Sequence, residues 1–553
     1  MDDGSFDCFN LEKSIAAIAA TLKVAPGQVR AAAELLAAGG TIPFIARYRK
    51  EATRGLDEQA LRAIDESLAK ARELADRKAT ILKTIDGQGQ LTDALRRQIE
   101  DCGDKRELED LYLPFKPKRR TRATIARERG LEPLAEILLR QEPLGRPRSE
   151  ILRPYVSAER EVPDEAAALA GACDIVAERW SEDAPTRGWL AGQAAQSGAV
   201  CSKLRRGKQE EAAKFEMYFD HQEPCRRVPS HRFLAMQRGE AEQLLRVSIA
   251  LDDEEVLRNL RQRFVRNPQF EFHRDLLATV EDCYRRLLLP ATETAVLQDL
   301  KENADAEAIA VFARNLRELL LAPPAGPQVT IGIDPGFRTG CKVAVVDGTG
   351  KHLAHTTIYP TPPRNDVEQA EQALAGLIEE HGARLIAIGN GTASRETDAF
   401  VAAMLRQRRL EVTKVVVSES GASIYSASET AAREHPDLDL TVRGALSIAR
   451  RLQDPLAELV KIDPKAIGVG QYQHDVNQSQ LRKTLDWEVE SCVNSVGVDV
   501  NMASASLLAY VAGIGPKLAE RIVAYRDANG RFESREAIRK VPKLGPKAFE
   551  QAA

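Results

Sequence analysis

The 553-residue sequence is short of several things, and each shortage removes a class of protein. No apolar run approaches the roughly 18 residues a membrane-spanning helix needs. The eight cysteines (Cys8, Cys102, Cys173, Cys201, Cys225, Cys283, Cys341 and Cys492) are scattered. None forms a CxxC pair or has histidine at zinc-ligand spacing, so reduced structural thiols and no metal are expected. No GxxxxGKS/T phosphate loop occurs, which argues against nucleotide hydrolysis and leaves no expected cofactor. The N-terminus, MDDGSFDCFNLEKS, is acidic and has no apolar signal core. A cytoplasmic protein with no membrane partner is the expectation. The net charge of −4 gives the whole chain no pull on polyanions.

What is present is ordinary in bulk and uneven in detail. Hydrophobic residues make up 43% and charged residues 29%, as in a soluble globular protein. A chain this long exceeds one core and predicts three to five domains. Residues 116–129, KPKRRTRATIARER, hold seven basic residues and one acid. Residues 501–553 hold nine Lys/Arg against five Asp/Glu. Local basic faces such as these, rather than the total, decide contact with phosphate.

Residues 1–325 read as helical. Apolar residues recur at spacings of three and four, as in Leu61, Ile64, Leu68, Ala71 and Leu74. A short helix is predicted from Pro26 to Ala38, followed by TIPFIARYRKE with a basic, aromatic edge of Phe44, Arg47, Tyr48, Arg49 and Lys50. A Pro/Gly linker, LLLAPPAGPQ, closes the region. Strands then appear: QVTIGID, CKVAVVD and HLAHTTIYP in a meander, then LIAIG and TKVVV alternating with helices. That order is the order of an RNase H-like α/β domain, placed at 326–455. Residues 456–495 read as a helical connector.

The strongest motif is an internal repeat. Gly513-Ile514-Gly515-Pro516-Lys517 recurs thirty residues later as Lys543-Leu544-Gly545-Pro546-Lys547. Each copy follows one apolar helical run and opens another, which predicts a tandem helix-hairpin-helix unit over 496–553. Glycine permits positive φ and leaves the backbone uncovered. Proline at the first helical position gives up an N–H that has no partner anyway. The next N–H groups face outward, where the helix dipole favours an anion. Gly513, Gly515, Lys517, Gly545 and Lys547 are therefore the candidate nucleic-acid contacts, with the second copy closer to a structural partner. Nothing in them reads bases, so binding to RNA or DNA should be sequence-independent and salt-dependent. Lys116, Lys118, Arg119 and Arg120 are further candidates, with Tyr112 and Phe115 beside them as stacking residues.

Asp334 ends the first strand, where an RNase H-like sheet would place a Mg²⁺ ligand. Two-metal hydrolysis needs several convergent carboxylates. Glu419 is the one other candidate; the second buried strand ends in Gly389-Asn390-Gly391, and the late helix offers Arg443 and Arg450 where a third acid is needed. No metal site and no enzymatic activity are expected. GIDPGFRTG with Gly389-Asn390-Gly391 also resembles the phosphate loops of actin-like ATPases, a weak signal.

Taken together, TIPFIARYRKE, EDLYLPFKPKRRT, IGIDPGFRTGCKVAVVD, RGALSIARRLQDPLAELVKIDPKAIGVGQYQHDV and VNSVGVDVNMASASLLAYVAGIG resemble the Tex family of bacterial transcription accessory proteins. The resemblance implies a helix-turn-helix-like unit in the N-terminal region, a YqgF-type RNase H-like domain, a tandem helix-hairpin-helix domain and a role in transcription. It also implies similarity to a eukaryotic transcription elongation factor. Family members continue into an OB-fold RNA-binding domain, so part of the family's affinity is expected to lie outside these residues. The expected protein is multidomain and mainly α, an elongated monomeric scaffold binding nucleic acid, with the transcription machinery as a further expected partner. The alternatives are a metal-dependent nuclease or a protein-docking platform.

Overall fold

The computed structural model describes residues 9–117 and 119–552. They fall into two compact units: the chain up to Pro26 with Ala63–Ala306, and Gly27–Arg62 with Glu307 onward. No helix among the described residues is long and apolar enough to cross a membrane.

The first unit is mostly helical. Its central helix, Glu165–Ser181, buries Ala168, Ala172, Ile175 and Val176 at helical spacing, and Asp164 caps it by accepting from the Ala167 amide at 2.7 Å. Trp180 at its end stacks on Phe264, ring centroids 4.8 Å apart. One part departs from the helical expectation. β1 (Ala199–Leu204), β2 (Asp220–Pro224) and β3 (Leu245–Ala250) form an antiparallel sheet in the order β2-β1-β3. β3, LRVSIA, alternates buried and solvent-facing residues, the period-two pattern of a half-covered strand. Strands of five or six residues are lost in windows dominated by Ala, Glu and Arg.

The second unit contains the predicted α/β domain. β4 (Thr330–Asp334), β5 (Cys341–Val346), β6 (His352–Ile358), β7 (Leu385–Gly389) and β8 (Thr413–Val417) lie in the order β6-β5-β4-β7-β8. β4, β5 and β6 run antiparallel, while β7 is parallel to β4 and β8 to β7. The parallel pairs need crossovers, supplied by the helices Val367–His381 and Ser394–Arg408. One face packs Ile331, Ile333, Val343 and Ile386 against Leu374, Ile378, Val401 and Met404. The other packs Ala344 and Val346 against Val442, Ala445 and Ala449 of the helix Leu440–Gln453. This is RNase H-like topology.

The helix Leu440–Gln453 approaches the sheet closely because Gly332 has no side chain. A Cβ there would lie 2.0 Å from the Ala445 carbonyl oxygen and 2.7 Å from the Ala449 amide nitrogen. The end of the same helix is pinned by Gln453, whose Nε2 donates to the carbonyls of Gln328 at 2.7 Å and Asp347 at 2.8 Å.

Burial also explains the cysteines. The seven described ones are free thiols, and burial pushes Cys173 up to about 11 and Cys283 up to about 12, which keeps them protonated and inert. Cys8 lies outside the described residues.

Gly332→Ala must displace backbone rather than a flexible side chain. It should cost about 1–3 kcal/mol of stability, read as a lowered urea midpoint at unchanged slope.

Candidate nucleic-acid interface

Both repeats fold as predicted, and they are not equivalent. In the first, the helix Ala505–Leu508 leads through the turn into the helix Pro516–Asn529. In the second, a 3-10 helix, Arg535–Lys540, leads into the helix Pro546–Gln551. Gly515 and Gly545 occupy the two N-cap positions with extended backbone, and no side chain caps either helix. The pair shares a core of Leu508, Ile514, Ala519, Ile522, Phe532 and Val541.

Gly513 needs to be glycine for two reasons. Its φ is +78°, in the left-handed region. A Cβ would also meet the Gln551 Cβ at 2.8 Å and the Ala548 carbonyl at 3.1 Å, so the first turn lies directly on the last helix. Asn494, on the preceding helix Gln478–Val496, holds the turn from the other side. Its Nδ2 donates to the Tyr510 carbonyl at 2.8 Å and its Oδ1 accepts from the Ala512 amide at 2.9 Å. Sequence reasoning missed Asn494, because a lone asparagine near a helix end carries no distinguishing pattern.

The two motif lysines differ in what they touch. Gly515, Pro516 and Lys517 are exposed, and the Lys517 side chain has no hydrogen bond or ion pair among the described residues. Lys547 instead donates its ammonium to the Ala38 carbonyl at 2.7 Å, just past the helix Pro26–Ala37. Beside it, Gln551 donates to the Gly39 carbonyl at 3.1 Å, and Glu550 pairs with Arg49. The second hairpin thus braces against residues 38–49. The basic edge read there is largely committed: Arg49 also covers the Phe44 ring at 4.7 Å, and Arg47 pairs with Glu58 at 3.1 Å.

A cavity of about 550 Å³ lies among Phe44, Leu508, Ile514, Leu544 and Phe549. Among its polar lining groups, Asn494, Asn501, Gln551, Asp499, Arg535, Ser495 and Ser534 are hydrogen-bonded to backbone, and Arg47 is paired with Glu58. It therefore lacks the convergent free polar groups of a specific small-molecule site.

The basic segment of the first unit is only partly available. Lys116, Arg119 and Arg120 are exposed, and Arg120 pairs with Glu128 at 3.0 Å. Lys118 lies outside the described residues. Arg127 pairs with Glu132 and Glu178, and Arg129 with Glu161. Tyr112 is buried and Phe115 packs against the same core cluster, so the expected stacking pair is mainly structural.

The RNase H-like domain places Asp334 at the end of β4 and Glu419 just beyond β8. Burial pushes the Asp334 carboxyl up to about 6; the Glu419 charge adds to the rise and Lys342 opposes it. A Cβ at Gly391 would lie 1.7 Å from Glu419 Oε1, so the glutamate carboxylate lies directly against the glycine loop. Arg443 donates to the carbonyls of His435 and Ser426, and Arg450 to that of Gly350. Among the described residues, no group of three or more His, Cys, Asp or Glu side chains could hold a metal ion. Two carboxylates do not fit the donor set of a two-metal centre.

The raised Asp334 value has a definite sign. The folded chain holds that proton to about pH 6, whereas an unfolded aspartate loses it near 3.9. The Asp334 contribution is fully present below the unfolded value and is lost as pH rises through 6. Asp334→Asn should therefore raise stability at pH 7 by about 3 kcal/mol and leave it nearly unchanged at pH 3.5, measured by thermal melts across that range.

Comparison with known proteins covers most of the chain. Residues 12–86 match a Tex-like protein N-terminal domain, 143–312 a Tex central region, 328–453 a Tex protein YqgF-like domain, and 493–553 a helix-hairpin-helix motif. The chain is 52% identical to the Transcriptional accessory protein Tex of Neisseria gonorrhoeae over 95% of its own length and 69% of the relative's. It is 52% identical to Protein tex of Bordetella pertussis over 98% and 70%. Similarity extends to the S1 RNA-binding domain-containing protein 1 of Homo sapiens, at 36% identity over 93% of this chain and 53% of that one. At such identity and coverage, the chain belongs to the Tex family.

Proposed function

We propose that this protein is a sequence-independent RNA- and DNA-binding scaffold acting in transcription, and that its first hairpin, Gly513 to Lys517, is its grip on the phosphate backbone. One observation carries the proposal. An exposed, uncapped N-terminus of a 14-residue helix stands beside an ammonium group with no internal partner. The helix dipole and the lysine attract the same anion, and neither reaches a base edge. The exposed Lys116, Arg119 and Arg120 supply further phosphate contacts in the first unit. The names of the relatives, a transcriptional accessory protein and an RNA-binding-domain protein, agree in kind. We place the protein in the cytoplasm as a monomer, working beside the transcription machinery.

Gly515 is the right place to test the grip, because a side chain there meets nothing within 4 Å and its φ is −90°. The double change Gly515→Glu with Lys517→Glu should leave the melting temperature unchanged. It should weaken binding to labelled RNA and to duplex DNA alike, by about tenfold or more at 0.1 M salt. Unchanged affinity would remove this hairpin from the interface.

The same proposal leaves the RNase H-like domain without catalysis, since Asp334 and Glu419 lack further acids. Incubation with Mg²⁺ or Mn²⁺ should leave RNA, duplex DNA and branched DNA intact. Cleavage that disappears in Asp334→Asn would establish a nuclease instead.

A further inference from the structure

The thirty-residue offset pairs Gly513 with Lys543. Both sit in the left-handed region, at φ +78° and +68°. The two turns also bond alike: the Ile514 amide donates to the Val511 carbonyl at 2.9 Å, and the Leu544 amide to the Val541 carbonyl at 3.3 Å. Positive φ is thus a requirement of the turn. Glycine meets it freely, whereas a lysine sets its Cβ against the following carbonyl. At Gly513 the last helix forbids a side chain as well. At position 543 the side chain points into solvent and has no hydrogen bond or ion pair among the described residues.

A charged residue at a strained position, with no partner inside the protein, gains nothing for the fold. Strained backbone clusters at functional sites, and here it carries a cation with no partner among the described residues. The surroundings say which ligand. From Arg531 to Lys543, five cations face Glu533 and Glu536 alone, and all of them are exposed. Lys547, the motif lysine of this hairpin, is held by the Ala38 carbonyl. We propose that Lys543, rather than Lys547, is the phosphate contact of the second hairpin. The proposal rests on the helix-hairpin-helix grip proposed above and assigns its second half.

The two functions of position 543 separate cleanly. Lys543→Gly removes the charge and relaxes the backbone; Lys543→Asn removes the charge while keeping a residue that tolerates positive φ. Both are made in the full chain. Binding to a mixed-sequence single-stranded RNA and to a DNA duplex of equal length is followed by fluorescence anisotropy across a salt series, with Lys517→Glu alongside. Both variants should melt no lower than the parent. At 0.1 M salt each should bind the duplex about eightfold and the single strand about fivefold more weakly, with salt slopes shallower by about 0.9 and about 0.7, the loss of one phosphate contact. If Lys517→Glu weakens binding and neither Lys543 variant does, Lys543 is not a contact and the first hairpin stands alone. If none of the three weakens binding, the helix-hairpin-helix grip falls, and this proposal with it.

Discussion

The first hairpin turn has no room for a side chain at Gly513, and the arrangement of the C-terminal domain depends on that contact. The backbone there rests on Ala548 and Gln551 of the last helix. The second repeat is thereby fixed against the first. It is also fixed against residues 38–49, through Lys547, Gln551 and the Arg49–Glu550 ion pair. With the second hairpin held on both sides and Asn494 holding the first, the Gly515–Lys517 corner is left facing solvent. A pseudo-symmetric pair has become one braced turn and one exposed turn.

Charge is used differently in the RNase H-like domain. Arg451 is buried, and burial brings it down to about 10 while the carboxylates of Glu458 and Glu419 oppose the fall. Its Nη1 donates to the Ser418 and Ser420 carbonyls, which fixes the segment carrying Glu419. Glu434 gathers Tyr425, Arg450 and Lys461 within 3.1 Å. The Glu434 contacts tie the helix Leu440–Gln453 to the segments around Tyr425 and Lys461, whereas Arg451 Nε and Nη2 have no hydrogen-bond partner among the described residues. The carboxylates that remain, Asp334 and Glu419, are too few for two-metal chemistry, and Glu419 itself lies directly against the glycine loop beside them.

Much of this was legible before any coordinates. The meander and the crossovers of the α/β domain were visible because runs such as CKVAVV and LIAIG have strand composition and are bounded by turn residues. The tandem hairpins were visible because a repeat at a fixed offset is hard to produce by chance. Other features were not. The sheet β1–β3 was hidden by short strands inside helix-rich composition. Tyr112 and Phe115 read as stacking residues beside a basic run, yet tertiary packing took their rings into a core cluster. The second hairpin read as the more structural copy, but what Lys547 holds was not visible, since its partner is a carbonyl more than five hundred residues away in the chain. Equivalent sequence positions became inequivalent through long-range contacts.

The central claim is that phosphate binds at the backbone of the first hairpin. Amide hydrogen exchange on the full chain, with and without saturating single-stranded RNA, tests it most directly. The account predicts slowed exchange at Gly515, Lys517 and Leu518 that disappears at high salt. Exchange at those amides that is unchanged by bound RNA would contradict it.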